Sequence, residues 1–153
     1  MTRLLELVAL LANGLAAGVM VGTAIGTAPL ALALPYDRYV QLIQYMWPRY
    51  DPFMPITNGV ALAACTALAA LAPHGSARPL YGAGAVLLAV LMVISVAKNV
   101  PINKYVMSLD PRHQPADWAR RDPRARWRNW NLLRTALAVS AFAASLAGAT
   151  IPA

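Results

Sequence analysis

The sequence predicts an all-α protein, a four-helix transmembrane bundle with a short interfacial helix in the first cytoplasmic loop. Of the 153 residues, 59% are apolar and only 12% are charged, whereas soluble domains average about 25% charged residues. Four apolar stretches approach the roughly 20 residues that cross the hydrocarbon of a bilayer. No Gly/Ser linker divides the chain. We therefore predict a single integral membrane domain over 1–153, with spans at about 4–34, 55–72, 80–100 and 123–149.

The first span carries a glycine at every fourth position: Gly14, Gly18, Gly22 and Gly26. This spacing places the glycines on one helical face, and small residues allow another membrane helix to approach closely. We therefore expect this face to pack against a helix of the bundle or to support a homo-oligomer. The apolar run is too long for the core of a signal peptide, so we expect the span to be retained.

The segment between the first two spans is aromatic and rich in proline. Asp37 is suited to cap a short helix over 38–47, which Pro48 would end. An apolar stripe on this helix would consist of Val40, Ile43 and Trp47. A stripe of this kind beside polar side chains is typical of an amphipathic helix that lies in the membrane interface.

The last two spans both contain informative prolines. The third span is expected to continue to Asn103, with Pro101 freeing the carbonyl of Ala97 and kinking the helix. The pair Asp122-Pro123 favours a helix start, because aspartate caps the first turn and proline fits the first helical position.

The basic residues are unevenly distributed between the two ends of the expected bundle. Arg3 and Arg78 are the two cations at the end with both termini, and the other eleven belong to the 35–54 and 98–131 loops or adjoin them. Cytoplasmic loops carry an excess of Lys and Arg. We therefore predict a protein of the bacterial inner membrane with both termini outside, and no nucleic-acid partner. Three arginines are expected to point toward water and lipid headgroups: Arg124, Arg126 and Arg128.

Polar groups at the cytoplasmic ends of spans three and four form the predicted site. A polar or charged group at membrane depth is costly and often marks function. The candidate catalytic residues are Lys98, Asn99, Asn103, Asn131 and Arg134. An alternative remains open, in which Lys98 and Arg134 are basic anchors that extend to the interface.

All four tryptophans and five of the six tyrosines fall on the same side as these polar groups. They favour an aromatic-lined pocket for a flat lipophilic ligand, or they simply reflect the longer loops on that side. The candidate substrate-binding residues are Trp47, Trp127, Trp130, Tyr45 and Asn58. Asn58, like Asn13, equally suits a hydrogen bond between helices.

The sequence predicts no metal site. His74 and His113 lie on opposite predicted faces, and Cys65 is the single cysteine. No closely spaced pair of histidines or of glutamate and histidine occurs, which argues against zinc and di-iron sites. An axial haem ligand from His113 remains open, as does copper, so the cofactor is unknown and the favoured interpretation requires none.

Three segments resemble the anthrone oxygenase-like family of small four-span membrane proteins: KNVPINK at 98–104, DW at 117–118 and RWRNWNLLRT at 126–135. The glycine-rich first span and PFMP at 52–55 extend the resemblance over most of the chain. The resemblance implies a four-helix bundle that oxidises an anthrone-like substrate. The polar set that it implies here is Asn99, Asn103, Asn131 and Arg134, with Trp127 beside them. Many relatives carry a histidine near 131–132, where this chain has Asn131 and Leu132.

The resemblance also implies a mechanism, in which an acidic C–H next to an aromatic ketone is deprotonated and the anion reduces dioxygen. Arg134 would then hold the oxyanion, and Trp127 and Trp130 would stack on the ring. The base remains open between Asp51, Asp37 and a neutral Lys98.

The favoured function is therefore a membrane-bound oxygenase that acts on a lipophilic aromatic substrate. The alternative is a non-catalytic binding or assembly subunit that holds a partner or anionic lipid on its basic cytoplasmic face. The oxygenase requires the asparagines and Arg134 to converge, whereas the subunit requires only an exposed basic surface.

Overall fold

The computed structural model describes residues 2–72 and 75–151, which form helices and no strand. The elements are α1, Thr2–Ala33, with a π-helical turn at Thr23–Thr27; α2, Tyr36–Leu71; α3, Arg78–Met107, with a π-helical turn at Ser95–Asn99; the short α4, Trp118–Arg121; and α5, Arg124–Ala149. Four helical segments (α1, α2, α3 and α4 with α5) are long and apolar enough to cross a membrane. This result confirms the all-α four-span fold and fits an integral membrane protein.

The four long helices pack in a ring. α1 contacts α2 and α5, and α3 contacts the same two helices. Short connections make α1, α2 and α3 successive antiparallel neighbours. The hydrogen bond from Trp127 to Asn103 places the start of α5 beside the end of α3, so these two helices are antiparallel as well. One end of the bundle therefore holds the start of α1 and the end of α5. The opposite end holds the α1–α2 connection and the 108–123 segment, and we call it the loop end.

The first part of α2 differs from the sequence prediction. A separate interfacial helix over 38–47 is not found, because Tyr36–Leu71 is one helix that includes Pro48, Pro52 and Pro55. All three prolines are exposed, so the bonds that they remove lie away from the packed face, where buried side chains hold the helix together. Asp37 lies in the first turn without a capping hydrogen bond. At 36 residues, α2 is roughly 54 Å long, so it extends well beyond the hydrocarbon.

The face of α1 that packs inside the bundle consists mainly of alanines. Its buried residues follow helical spacing: Ala9, Ala12, Asn13, Ala16, Ala17 and Met20. A Cβ added at Gly18, Gly22 or Gly26 would meet no described atom within 4 Å, whereas one at Gly14 would lie 3.2 Å from Phe142. The expected packing of the glycine row within the bundle is therefore wrong beyond Gly14, because alanine is also small enough for close approach. A homo-oligomer through this row stays a prediction.

Each π-helical turn ends two residues before a proline. Thr23–Thr27 is followed by Pro29, and Ser95–Asn99 is followed by Pro101. In a regular helix, a proline ring clashes with the carbonyl four residues earlier. In the second turn the Val100 N–H instead donates to the carbonyl five residues back. The disturbance expected at Pro101 is thus taken up by the π-helical turn, and α3 continues.

The start of α5 is fastened to the end of α1. Asp122 Oδ1 accepts a hydrogen bond from the Arg124 backbone N–H at 3.0 Å, and Pro123 precedes the first helical residue. The Arg124 guanidinium also donates to the carbonyls of Ala31 at 3.3 Å and Leu34 at 2.6 Å. Carbonyls at a helix C-terminus lack partners within the helix, so Arg124 caps α1. The expectation that Arg124 points to water is wrong, since only 17% of its side chain is exposed.

Candidate functional site

A cavity of about 180 Å³ lies between α1, α2, α3 and α5, toward the loop end. Seven of the ten residues proposed from the sequence line it: Trp47, Asn58, Asn99, Asn103, Trp127, Asn131 and Arg134. Much of the remaining wall is apolar. Ligand sites are typically apolar concavities with a few polar groups, and this cavity has that composition.

The other three proposed residues lie outside the cavity. Lys98 is exposed, and its ammonium nitrogen lies 5.6 Å from the centroid of the Trp130 ring. Tyr45 is 63% exposed, and the Arg49 guanidinium lies over its ring at 3.8 Å. Consecutive helical residues are rotated by about 100°. Lys98 therefore points away from the cavity when its neighbour Asn99 faces inward. Trp130 points away in the same way, because its neighbour Asn131 faces inward.

Arg134 is the cation in the cavity wall. Its Nη1 donates to Asn131 Oδ1 at 3.3 Å. Within residues 2–72 and 75–151, its buried Nε has no hydrogen-bond partner, and no carboxylate forms an ion pair with it. A buried charge without a partner is destabilising. The side chain is therefore suited to receive an anion from a ligand.

Hydrogen bonds hold the polar wall in place. Asn131 Nδ2 donates to the Trp127 carbonyl at 3.1 Å, which leaves the Asn131 oxygen to face Arg134. Trp127 Nε1 in turn donates to Asn103 Oδ1 at 3.0 Å. This second bond joins α5 to α3, so the two helices that carry the polar groups are fixed relative to each other.

Two asparagines present polar atoms that the rest of the described chain does not satisfy. Asn99 is 2% exposed, and neither atom of its amide has a hydrogen-bond partner among the described residues. Asn58 donates to the Met54 carbonyl at 2.8 Å, within its own helix, but its buried oxygen has no partner there. A buried unsatisfied group costs roughly 1–3 kcal/mol, so these atoms mark where a polar ligand group would be stabilised.

Asn13 also lacks a partner for both amide atoms within the described part of the chain. It is fully buried on α1 and lies outside the cavity lining. The interhelical hydrogen bonds expected for Asn13 and Asn58 are therefore not found.

A carboxylate lies at the exposed part of the lining. Asp51 accepts a hydrogen bond from Trp47 Nε1 at 3.1 Å, one turn earlier on α2. Asp37 lies outside the lining and is 3.6 Å from the Arg38 guanidinium. Of the three groups considered as a base, the geometry favours Asp51, since Lys98 also lies outside.

Sequence reasoning proposed Trp47, Asp51 and Asn58 separately but did not place them on one face of α2, and it missed Met54. Four of its cavity residues are Trp47, Asp51, Met54 and Asn58. Their spacing of i, i+4, i+7 and i+11 defines one helical face, and this signal was present in the sequence. The predicted break at Pro48 separated the members of the set. Three further lining methionines were also not proposed as site residues: Met20, Met46 and Met92.

The π-helical turn in α3 keeps four residues on the cavity side: Leu91, Ser95, Asn99 and Asn103. In a regular α-helix, positions four apart drift by about 40° per step, which is about 120° from Leu91 to Asn103. The wider π-helical turn removes part of this rotation. Because of it, one wall can use residues from more than three turns of α3.

Within residues 2–72 and 75–151, no group of three or more His, Cys, Asp or Glu side chains is placed to hold a metal ion. His113 lies in the 108–123 segment, outside the cavity lining, with its Nδ1 2.7 Å from Asp110 Oδ2. The Arg112 backbone N–H and the His113 ring hold the pKa of Asp110 below its usual range. His74 lies outside the described residues.

A family model described as anthrone oxygenase matches residues 46–144, which are 99 of the 153 residues. The chain belongs to the anthrone oxygenase family. The family predicted from the sequence is thereby confirmed. The matched segment contains every polar cavity residue from Trp47 to Arg134, whereas α1 precedes it. Comparisons with curated proteins and with solved structures give no match.

Proposed function

We propose that this member of the anthrone oxygenase family is a membrane-bound oxygenase for a lipophilic, anthrone-like substrate. The observation that carries the proposal is Arg134, a cation in a largely apolar cavity wall with no ion-pair partner among the described residues. An oxyanion that develops on the substrate supplies the missing negative charge. Preorganised donors of this kind stabilise a transition state more than they stabilise the neutral substrate.

The size and composition of the cavity support a flat aromatic ligand. An engineered apolar cavity of about 150 Å³ holds benzene, so a volume of about 180 Å³ accommodates at least one ring. Tyr50, Asp51 and Val96 are exposed parts of the lining, so a fused ring system can extend outward at this edge. Methionine side chains adapt to irregular shapes and make favourable contacts with aromatic rings.

The proposed reaction begins with proton transfer to Asp51, which Trp47 orients. The carbon acid leaves its electron pair in the conjugated ring system, and the charge that develops on the ketone oxygen is stabilised by Arg134 and the Asn99 amide. The substrate anion reduces dioxygen and forms a carbon–oxygen bond, which gives a hydroperoxide after protonation. Loss of water then leaves a second ketone. The CH₂ group supplies four electrons, one oxygen atom enters the product, and the other leaves as water.

We also propose that the loop end faces the cytoplasm of a bacterial inner membrane. Two of the thirteen Lys and Arg residues are assigned to the end with both termini, and eleven to the loop end or the adjoining spans. This distribution follows the usual excess of cations on the cytoplasmic side. The cavity opening would then lie near the cytoplasmic interface.

The alternative is a non-catalytic binding or assembly subunit, which requires only an exposed basic surface. The polar groups of α3 and α5 in one cavity, with the unpaired Asn99 amide among them, support the oxygenase. A scaffold gains nothing from unsatisfied polar groups, because each of them lowers stability.

The test is turnover by the purified protein in lipid vesicles, with anthrone as the probe. Oxygen uptake and quinone formation should exceed those of protein-free vesicles and occur in a one-to-one ratio. Absorption and metal analysis of the same sample would identify any bound cofactor. Asp51→Asn should lose most turnover, whereas Asp37→Asn, a carboxylate removed from the same helix outside the cavity, should retain it. If anthrone is neither bound nor oxidised above the vesicle background, the proposed function is wrong.

A further inference from the structure

A second concave surface lies at the loop end, outside the cavity, and we call it the basic crevice. It is lined by Tyr105 near the end of α3, Arg120 and Arg121 of α4, Asp122, and Ala125 and Arg126 of α5. None of these residues lines the cavity. The crevice has no part in the proposed oxygenation.

The basic crevice carries a surplus of positive charge. Asp117 lies 2.6 Å from Arg121 Nε and 3.9 Å from Arg120 Nη2. The carboxylate in the lining is already bound by Arg124. Arg126 has no ion pair among the described residues. The guanidinium groups of Arg120, Arg121 and Arg126 together carry a charge of +3, and Asp117, which pairs with the first two, compensates one unit. The crevice is left with a net charge of +2.

A hydroxyl group in the same lining also lacks a partner. The Tyr105 oxygen is buried and has no hydrogen-bond partner among residues 2–72 and 75–151. Buried polar groups are nearly always hydrogen-bonded. A ligand with several acceptor oxygens would accept from this hydroxyl and from the guanidinium groups together.

We propose that the basic crevice binds the phosphate group of an anionic phospholipid. Arginine pairs with phosphate through two parallel hydrogen bonds, and basic pockets at the ends of membrane helices recognise anionic headgroups. A net charge of +2 selects a lipid whose headgroup carries no compensating ammonium. A surface that merely faces the membrane would contact every phospholipid, whereas the crevice should prefer anionic ones.

The surroundings favour a lipid over free phosphate. The crevice lies at the ends of membrane-crossing segments, between α3 and α5. Trp130 and Leu133 are four and seven residues after Arg126, which places them on the same face of α5. Leu133 is 43% exposed, so an apolar surface for an acyl chain continues from the crevice toward the membrane.

Lipid retention by the delipidated protein in detergent tests the proposal. Phosphatidylglycerol and phosphatidylcholine are added in turn, and bound lipid is counted by native mass spectrometry. The crevice variant carries Arg120→Gln, Arg121→Gln and Arg126→Gln. The matched control carries Arg38→Gln, Arg49→Gln and Arg112→Gln, which removes the same charge from exposed positions elsewhere at the loop end. Single Arg126→Gln and Tyr105→Phe variants serve if the triple variant does not fold.

The wild type and the control should bind phosphatidylglycerol about 10- to 30-fold more tightly than phosphatidylcholine. The crevice variant should lose this preference. Inorganic phosphate should not displace the lipid. Equal retention of the two lipids by the wild type would overturn the proposal. Equal loss of preference in the control and crevice variants would assign binding to general surface charge, and displacement by inorganic phosphate would assign the site to a free anion. Either result would also overturn it.

Discussion

Replacing Arg134 with leucine should separate function from stability. The substitution removes the cation from the cavity wall and one hydrogen bond of 3.3 Å to Asn131. It breaks no ion pair among the described residues. Leucine fills part of the same volume, and the bond from Asn131 to the Trp127 carbonyl remains. The rest of the polar wall should therefore keep its arrangement.

The substitution should lower turnover strongly and leave the stability of the bundle nearly unchanged. Loss of a preorganised oxyanion donor costs about 10²–10³-fold in turnover. The lost hydrogen bond costs roughly 0.5–1.5 kcal/mol of stability. Removing a buried cation that has no ion-pair partner among the described residues acts in the opposite direction, because such a charge destabilises the folded bundle. We therefore expect Arg134→Leu to be nearly inactive and equally or slightly more stable than the wild type.

The assay pairs anthrone-dependent oxygen uptake in vesicles with thermal unfolding in detergent. Arg128→Leu is the matched control, because Arg128 is a cation of the same helix outside the cavity and donates to Asn129. The control should keep wild-type turnover. Arg134→Lys retains the charge without the planar fork, so its turnover should be intermediate. Wild-type turnover in Arg134→Leu would refute the role of Arg134 and leave it as an interfacial anchor.

Three further predictions concern the fold. Ala17 is 5% exposed, so Ala17→Leu should destabilise the bundle by about 1–3 kcal/mol. A Cβ added at Gly18 meets no described atom within 4 Å, so Gly18→Leu should leave monomer stability unchanged. Equal losses in thermal unfolding would contradict this, and a shift of Gly18→Leu to a smaller particle would support a homo-oligomer. Arg124→Gln should speed hydrogen exchange at the end of α1, because its carbonyls lose their cap; exchange as slow as in the wild type would show that the cap has no effect. Cysteine labels introduced at Gly75 and Gln114 should react from opposite sides of the membrane, Gln114 from the cytoplasm. Labelling of Gly75 from the cytoplasm would reverse the proposed orientation.

The sequence predicted the spans well because apolar length is a one-dimensional property. It failed at Pro48, where a proline was taken as the end of a helix. Loss of one hydrogen bond on an exposed face did not outweigh burial of Tyr39 and Val40, both 0% exposed, on the opposite face. Whether a proline ends a helix depends on this tertiary packing, which local sequence does not contain.

The candidate site was predictable where residues repeat along one helix. Asn99 with Asn103, and Asn131 with Arg134, are spaced to share a face, and both pairs line the cavity. Lys98 was grouped with them because it is a charged residue at the same depth, at the end of the third span. The sequence does not give the rotation of each helix about its axis, and this rotation directs Lys98 outward.

The π-helical turn at Ser95–Asn99 has a consequence for chain length. A π-helical turn accommodates one residue more than an α-helical turn, so deletion of one residue there would restore a regular helix. The eleven residue steps then left between Leu91 and Asn103 would turn by about 1,100°, close to three whole turns, so Asn103 would stay on the same face as Leu91. A deletion in a regular turn of α3 would instead rotate all later residues by about 100° and move Asn103 out of the wall. The Ser95–Asn99 turn should therefore tolerate the loss of one residue other than Asn99, whereas the regular turns of α3 between Leu91 and Asn103 should not.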